Sequence, residues 1–235
     1  SPPKRTKVHP RLVPYVTYDR MKWLDPAIAK DGKAVTEARA RSAAALGWYD
    51  YAYGSPYCVP RVYFHQMQDY LSYGTAAGVK AQYAELYPNW GEGPKPYVMM
   101  KLWWDPALDV DKLLKEWYVR CVGEAAAPHL EKYYAIWEKF WTGDALRTQW
   151  FAANGNAQYL AFSDPGYLEA VRPEAVAESR RLLDACAAAC ATKEQRARAS
   201  IIERAFRYYE ACALLYADAA LVKKSRIASD ADAAA

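Results

Sequence analysis

The sequence predicts an α/β segment followed by an all-α segment. The first, residues 1–106, reads as a partial (β/α)8-type barrel of about three βα units. The second, residues 107–235, reads as a C-terminal helical bundle. Three observations predict this division. Before residue 106, short apolar or aromatic runs alternate with helical stretches, in the order strand, helix, strand, helix, strand, helix, as parallel βα units do. Proline and glycine are frequent in that part. After residue 106, apolar residues recur at threes and fours, the period of a helix.

Arg11 to Tyr18 (RLVPYVTY) is the first strand, weakened by Pro14, which cannot donate to a ladder. Ala34 to Leu46 has the propensity of a helix. Trp48 to Tyr53 (WYDYAY) is an aromatic strand, and the stretch around Pro56 and Pro60 is loop. Tyr63 to Ala77 is a helix stopped by Gly78, and Val79 to Leu86 is a short alternating strand. A loop with Trp90, Glu92 and two glycines leads to a helix rich in large apolar residues after Pro94.

In the second segment, Val110 to Val122 is a helix, with Asp109 as N-cap and Gly123 as stop. Ala125 to Trp141 is another, carrying Tyr133, Tyr134, Trp137 and Trp141 on one face and ended by Gly143. Ala145 to Phe162 has no clear reading, with Gly155 in its middle. Pro173 to Ala191 opens on a first-turn proline. Thr192 and Gln195 form a capping-box pattern before the last helix, whose stripe runs through Ile201, Ile202, Ala205, Tyr208, Tyr209, Cys212, Leu215, Tyr216 and Ala219 and reads as core. The end, Asp230 to Ala235, reads as loose. There is no internal repeat.

The bulk composition narrows the function classes. Of 235 residues, 53 % are hydrophobic and 25 % charged, which is globular rather than disordered. The net charge of +4 is too mild and too evenly spread to indicate nucleic acid, and the basic residues Lys4, Arg5 and Lys7 read as a solvated tail. No run of about 18 apolar residues suggests a membrane span, and no signal peptide is visible. The chain begins with Ser, which fits a processed product, an excised domain or a proteolytic fragment equally. No metal is expected, because the three histidines, His9, His65 and His129, are far apart; His65, opening a helix, reads as structural. With so few histidines there is no Ser-His-Asp arrangement, and with no glycine-rich phosphate motif no nucleotide cofactor is expected. The five cysteines contain no CxxC pair and read as buried thiols; Cys186 and Cys190, one turn apart on a helix, are badly placed for a disulfide.

The aromatic bias points to one chemistry. Twenty Tyr and nine Trp stand against five Phe. Each pairs a flat apolar face with a polar edge, which suits either a carbohydrate surface or a wet interhelical core. In parallel βα architectures the site lies at the carboxyl ends of the strands. Those ends carry Tyr18, Asp19 and Arg20; then Asp50, Tyr51, Tyr53 and, in the following loop, Arg61; then Glu85, Tyr87, Asn89, Trp90 and Glu92. The candidate substrate-binding residues are Asp50, Tyr51, Tyr53, Glu85, Trp90 and Glu92. Asp50 and Glu85 are either a paired-carboxylate arrangement of the kind that hydrolyses glycosides, or ligands of sugar hydroxyls, or partners of Arg20 and Arg61. Trp90 is either a stacking platform or a loop anchor, and Glu92, between two glycines, reads as exposed.

The run from Tyr83 to Trp141 (YAELYPNWGEGPKPYVMMKLWWDPALDVDKLLKEWYVRCVGEAAAPHLEKYYAIWEKFW) resembles a bacterial family of domains of unknown function. Its members are similar to α-glucuronidases and hexosaminidases, with a glycoside-hydrolase-type barrel and a helical region behind it. The features that carry the resemblance are Glu85, the Trp104-Asp105-Pro106 turn, Asp109-Val110-Asp111 and the linker from Gly123 to Pro128; upstream, the stretch from Trp48 to Lys80 fits as well. The resemblance implies that the chain is the C-terminal part of a carbohydrate-active protein, with late-strand Tyr, Trp and Glu binding an oligosaccharide or polysaccharide. It also implies that the catalytic acids lie on strands outside this chain, with the remainder of a barrel or another protein chain as partner, and a periplasmic or extracellular location. The alternative, of a different class, is a non-enzymatic helical interaction or assembly module.

Overall fold

Three short strands, each followed by a helix, lie side by side before the chain turns almost wholly helical. The structure is a computed structural model describing residues 7–55, 57–87 and 89–232, with side chains through residue 219. Strands β1 (Tyr15–Tyr18), β2 (Leu46–Tyr51) and β3 (Val79–Glu85) form a parallel sheet in the order β1-β2-β3. Helices α1 (Pro26–Ala40) and α2 (Phe64–Ala76) make the crossovers, and α3 (Lys95–Trp104) follows β3. Among the described residues the sheet stays open and does not close into a barrel. Helices α4 (Val110–Val122), α5 (Ala127–Lys139), α6 (Gln149–Asn154), α7 (Pro173–Ala189) and α8 (Lys193–Asp232) complete the fold.

Local chemistry accounts for the differences from expectation. β1 starts at Tyr15 because Pro14 can only accept, and its carbonyl takes the Gly47 N–H at 2.9 Å. α1 begins eight residues before the expected Ala34. Asp25 caps it, accepting from the Ala27 and Ile28 amides, and Pro26 occupies its first turn. Gly32, which argues against a helix in isolation, is required there: a Cβ would lie 2.3 Å from the Trp23 indole nitrogen. α4 keeps both expected ends, with the Asp109 carboxylate accepting from Lys112 N at 3.0 Å and Gly123 at φ +88°. The capping box also forms: Thr192 Oγ1 accepts from Gln195 N at 3.2 Å and Gln195 Oε1 from Thr192 N at 3.1 Å. α5 runs into a single π turn, Phe140–Asp144, and α6 is short, capped by Thr148 before it and Gly155 after it. α8 is helical through Asp232; the rest of the end expected to be loose, residues 233–235, lies outside the described residues, as do Lys4 and Arg5.

One continuous apolar core joins the sheet to the helices on both sides of residue 106, from Trp48 and Met67 to Trp137, Trp141 and Phe206. The stripe on α8 divides. Ile202 and Tyr209 are buried, whereas Tyr208 and Leu215 face solvent. No described helix is long and apolar enough to cross a membrane.

The sheet has two unlike faces. Trp48 and Asp50 point toward the helices, where Trp48 meets Trp23 at 5.5 Å edge-on and Tyr73 at 6.4 Å stacked. Gly74 of α2 lets the Trp48 ring approach, since a Cβ there would sit 2.5 Å from it. Tyr49, Tyr51, Tyr83 and Glu85 point the other way, because successive side chains of a strand alternate. A register shift at Leu46/Gly47 brings Tyr49 opposite Tyr83 and Tyr51 opposite Glu85. Parallel sheets are ordinarily covered on both faces. Here Tyr15, Tyr83 and Tyr87 are among the exposed aromatics.

Candidate functional site

Beneath the strand ends lies a water-excluded set of charges. Asp19 follows β1, Arg61 precedes α2, Glu92 closes the short 3-10 turn after β3, and Lys95 opens α3; none is exposed. Arg61 Nη2 donates to both Asp19 oxygens, at 2.7 and 2.8 Å, and Arg61 Nη1 to the Tyr51 and Tyr53 carbonyls at 3.0 and 3.3 Å. Asp19 Oδ2 also accepts from Leu160 N at 3.1 Å. Lys95 Nζ donates to Glu92 Oε1 at 2.7 Å and to the Tyr53 carbonyl at 3.1 Å. On the helix side, Arg20 N donates to Asp50 Oδ1 at 3.0 Å, and its guanidinium bonds the Tyr49 and Val16 carbonyls and lies 4.0 Å over the Trp48 ring.

Burial sets the electrostatics of this layer. It pushes the Asp50 and Glu92 carboxyls up, against the opposing pull of Arg20 and Lys95 respectively, and it pushes the Lys95 amine down to about 8. Burial also works against the Arg61 charge, but Asp19, together with Tyr57 and Tyr63, outweighs it and holds the guanidinium well above its ordinary value.

Two of the candidate ligands lie in this buried layer. Asp50 sits on the helix-facing side of β2 with its carboxylate taken by Arg20, so it is not beside Glu85 on the open face and the two do not form a flanking acid pair. Its register partner is Ala84, and the alternation of the strand turns it away from Tyr51 and Glu85. Glu92 is not an exposed loop residue. It is 0 % exposed and paired with Lys95, because the turn folds it under Gly54, where a Cβ would lie 1.8 Å from Glu92 Oε2.

Above this layer, Tyr51, Tyr53 and Glu85 come together. The Tyr49 and Tyr53 hydroxyls both donate to Glu85, Tyr53 to Oε2 at 2.5 Å. The hydrogen bond to Glu85 raises the Tyr49 hydroxyl, and burial followed by the same carboxylate raises Tyr53, so both remain donors. Around them the rings form a continuous surface: Tyr49 and Tyr83 at 4.6 Å, Tyr51 and Tyr53 at 5.5 Å, and Tyr53 and Tyr87 at 5.4 Å with only 13° between planes. Tyr159 approaches Tyr51 at 5.1 Å and Phe162 approaches Tyr53 at 5.1 Å. Tyr83 is 50 % and Tyr87 59 % exposed. Tyr87 holds φ at +36°, a left-handed conformation that bulky side chains disfavour.

Trp90 lines a separate groove. This groove, of about 400 Å³, is formed with Pro96, Trp117, Arg198, Ile201 and Ile202, toward α4 and α8. The indole is 78 % exposed. A cleft of about 530 Å³ between α2, α4 and α5 contains His65. There His65 bridges Glu138 at 3.1 Å and Asp111 at 3.3 Å, and its hydrogen bond to the Glu138 carboxylate raises it to about 9. Among the described residues no cluster of His, Cys, Asp and Glu could hold a metal ion.

The family pattern of a domain of unknown function, DUF4838, matches residues 1–135, more than half of the chain. The chain belongs to the DUF4838 family. No curated protein and no solved structure matches it. The DUF4838 match takes in the whole sheet, α1 to α4 and every expected ligand from Asp50 to Glu92.

Sequence reading missed Tyr49, Tyr83, Tyr159 and Phe162 as parts of the aromatic surface. Tyr49 was within reach, since positions 49, 51 and 53 share one face of an extended segment. Tyr83 likewise precedes Glu85 by two. Tyr159 and Phe162 carried no local signal, because a loop far along the chain delivers them.

Proposed function

We propose that the chain is part of a carbohydrate-active, glycoside-hydrolase-like protein, and that its open sheet face binds a glycan. The observation that carries the reading is Glu85, a carboxylate steadied by two tyrosine hydroxyls within an uncovered surface of tyrosine rings. A carboxylate has about four lone-pair sites. Two are used by Tyr49 and Tyr53, which leaves capacity for sugar hydroxyls. The flat faces of Tyr83 and Tyr87 offer cover for the apolar side of a pyranose ring. Trp90 supplies a second stacking platform in its own groove.

The reading is of binding rather than of hydrolysis by this chain alone. Glycoside hydrolysis needs two carboxyl groups about 5 to 9.5 Å apart. On the open face of the three strands Glu85 is the only carboxylate among the described residues. Cleavage would require a second acid from outside these three strands.

Calorimetric titration of the intact chain and of Glu85→Ala with a panel of neutral and uronic-acid-containing oligosaccharides tests this. Loss of a charged hydrogen-bond acceptor is expected to weaken binding by about tenfold or more. Equal affinities would remove Glu85 from the site, and no binding of any member of the panel would remove the reading.

The second reading, a helical interaction module, is favoured by Leu214 and Leu215, adjacent leucines that α8 holds in solvent. Sedimentation as a monomer at all accessible concentrations would count against self-assembly through that helix.

A further inference from the structure

The five cysteines fall into two groups. Cys121, Cys186 and Cys190 influence one another electrostatically between α4 and α7, and the Cys190 thiol is engaged by the Cys186 carbonyl of its own helix at 3.2 Å. Cys58 and Cys212 form the second group, drawn from the loop after β2 and from α8. Cys58 Sγ lies 3.8 Å from the Tyr208 hydroxyl. Tyr208 and Cys212 are one helical turn apart on the same face of α8. The Tyr208 hydroxyl is in hydrogen-bonding contact with the Cys212 thiol too, and the two thiols are in reach of each other.

Both backbones are held. Cys58 N donates to the Tyr167 hydroxyl at 2.7 Å, Tyr57 Oη to the Leu160 carbonyl at 3.0 Å, and Trp141 Nε1 to the Pro60 carbonyl at 2.6 Å. Cys212 is fixed by the buried Tyr209 and Ala213 beside it on the helix. Both thiols are half-buried. Thiols gathered around one tyrosine hydroxyl from two different elements can be brought together by side-chain rotation, whereas the i, i+4 pair Cys186 and Cys190 is badly placed for a disulfide.

We infer that Cys58 and Cys212 form a disulfide by exchange with an exogenous disulfide such as oxidised glutathione, clamping the loop after β2 onto α8. The exchange balances in two displacements. One protein thiol, deprotonated, attacks the external S–S bond and expels one thiolate; the resulting mixed disulfide is then attacked by the second protein thiol, which expels the other. One protein S–S bond is formed, both protein thiols lose their protons, and the external disulfide is reduced to two thiols. Burial raises the Cys212 thiol, so the exchange is slow at neutral pH and the product is a stabilising cross-link rather than a fast sensor.

The full chain is treated, folded, with excess oxidised glutathione at pH 8, alkylated, and digested without reductant. The expected map contains one linked peptide pair bearing Cys58 and Cys212, with Cys121, Cys186 and Cys190 alkylated. Recovery of Cys58 and Cys212 as alkylated thiols, as stable glutathione adducts, or linked to another cysteine overturns the inference, and this readout needs no variant to fold. The oxidised chain is expected to melt about 5–10 °C above its reduced form. Cys121→Ser should keep both the link and the shift, and Cys212→Ser should lose both. A link without a change in melting temperature would overturn the clamp.

Discussion

Arg61 and Asp19 face each other with no water between them, the guanidinium Nη2 on both carboxylate oxygens at 2.7 and 2.8 Å. Arg61 spends its other terminal nitrogen on the carbonyls of Tyr51 and Tyr53, the residues that carry β2 into the aromatic surface. Asp19 spends its second oxygen also on Leu160 N, in the loop that delivers Tyr159. The pair is thus a pedestal, and the open face stands on it. Arg61→Met leaves the Asp19 charge buried without its partner and is expected to cost about 3–5 kcal/mol in urea unfolding. A cost below 1 kcal/mol would show that the pair is not what holds the strand end.

Glu92 and Lys95 are expected to behave as a unit. Lys95→Met alone strands a buried carboxylate and should cost about 3–5 kcal/mol, and Glu92→Leu alone strands a buried ammonium to similar effect. The double variant, apolar on both sides, should be less destabilised than either single one, because both desolvation penalties disappear together. Additive costs in the double-mutant cycle would contradict this.

His65 is expected to make stability depend on alkaline pH. Its folded value, about 9, lies above its ordinary value of 6.5, so the folded chain binds the extra proton between those limits. The contribution is fully present below pH 6.5 and is lost as pH rises through about 9. With the side chain 56 % exposed, solvent screening reduces it to about 1 kcal/mol or less. The difference in urea midpoint between pH 6 and pH 9.5 should shrink in His65→Gln; an unchanged difference would assign it to other groups.

Gly74→Ala is expected to destabilise although alanine is the better helix former by about 1 kcal/mol. The added methyl would lie 2.5 Å from the ring of Trp48, which is wholly buried against Trp23 and cannot retreat. Overpacking of this kind costs about 1–3 kcal/mol, so a net loss is predicted by thermal or urea unfolding.

Helices with chemical punctuation at both ends were legible. Asp109 and Gly123 bound α4, and Thr192 with Gln195 opens α8, because caps act through atoms a few residues away. α1 was misread because its start rests on Asp25 and Pro26, which precede a stretch that looks unhelical only until Trp23 is placed against Gly32. At the site, Glu85 was legible as a strand-end carboxylate. For Asp50 the pairing with Arg20 was one of three open alternatives, and for Glu92 the pairing with Lys95 was not foreseen, because a carboxylate's freedom depends on which cation folds against it.

The sequence by itself determined the kinds of element, their order, and the parity that puts Tyr49, Tyr51 and Tyr53 on one side of β2 and Trp48 and Asp50 on the other. Tertiary structure decided which side the helices cover, and hence that Tyr83 and Tyr87 are open and Glu85 half-buried while Asp50, Arg61 and Glu92 are sealed. Alternation along a strand is a local property of the backbone. Burial is a property of what packs against it, and the cost of sealing a charge is met only by a partner brought from elsewhere in the chain.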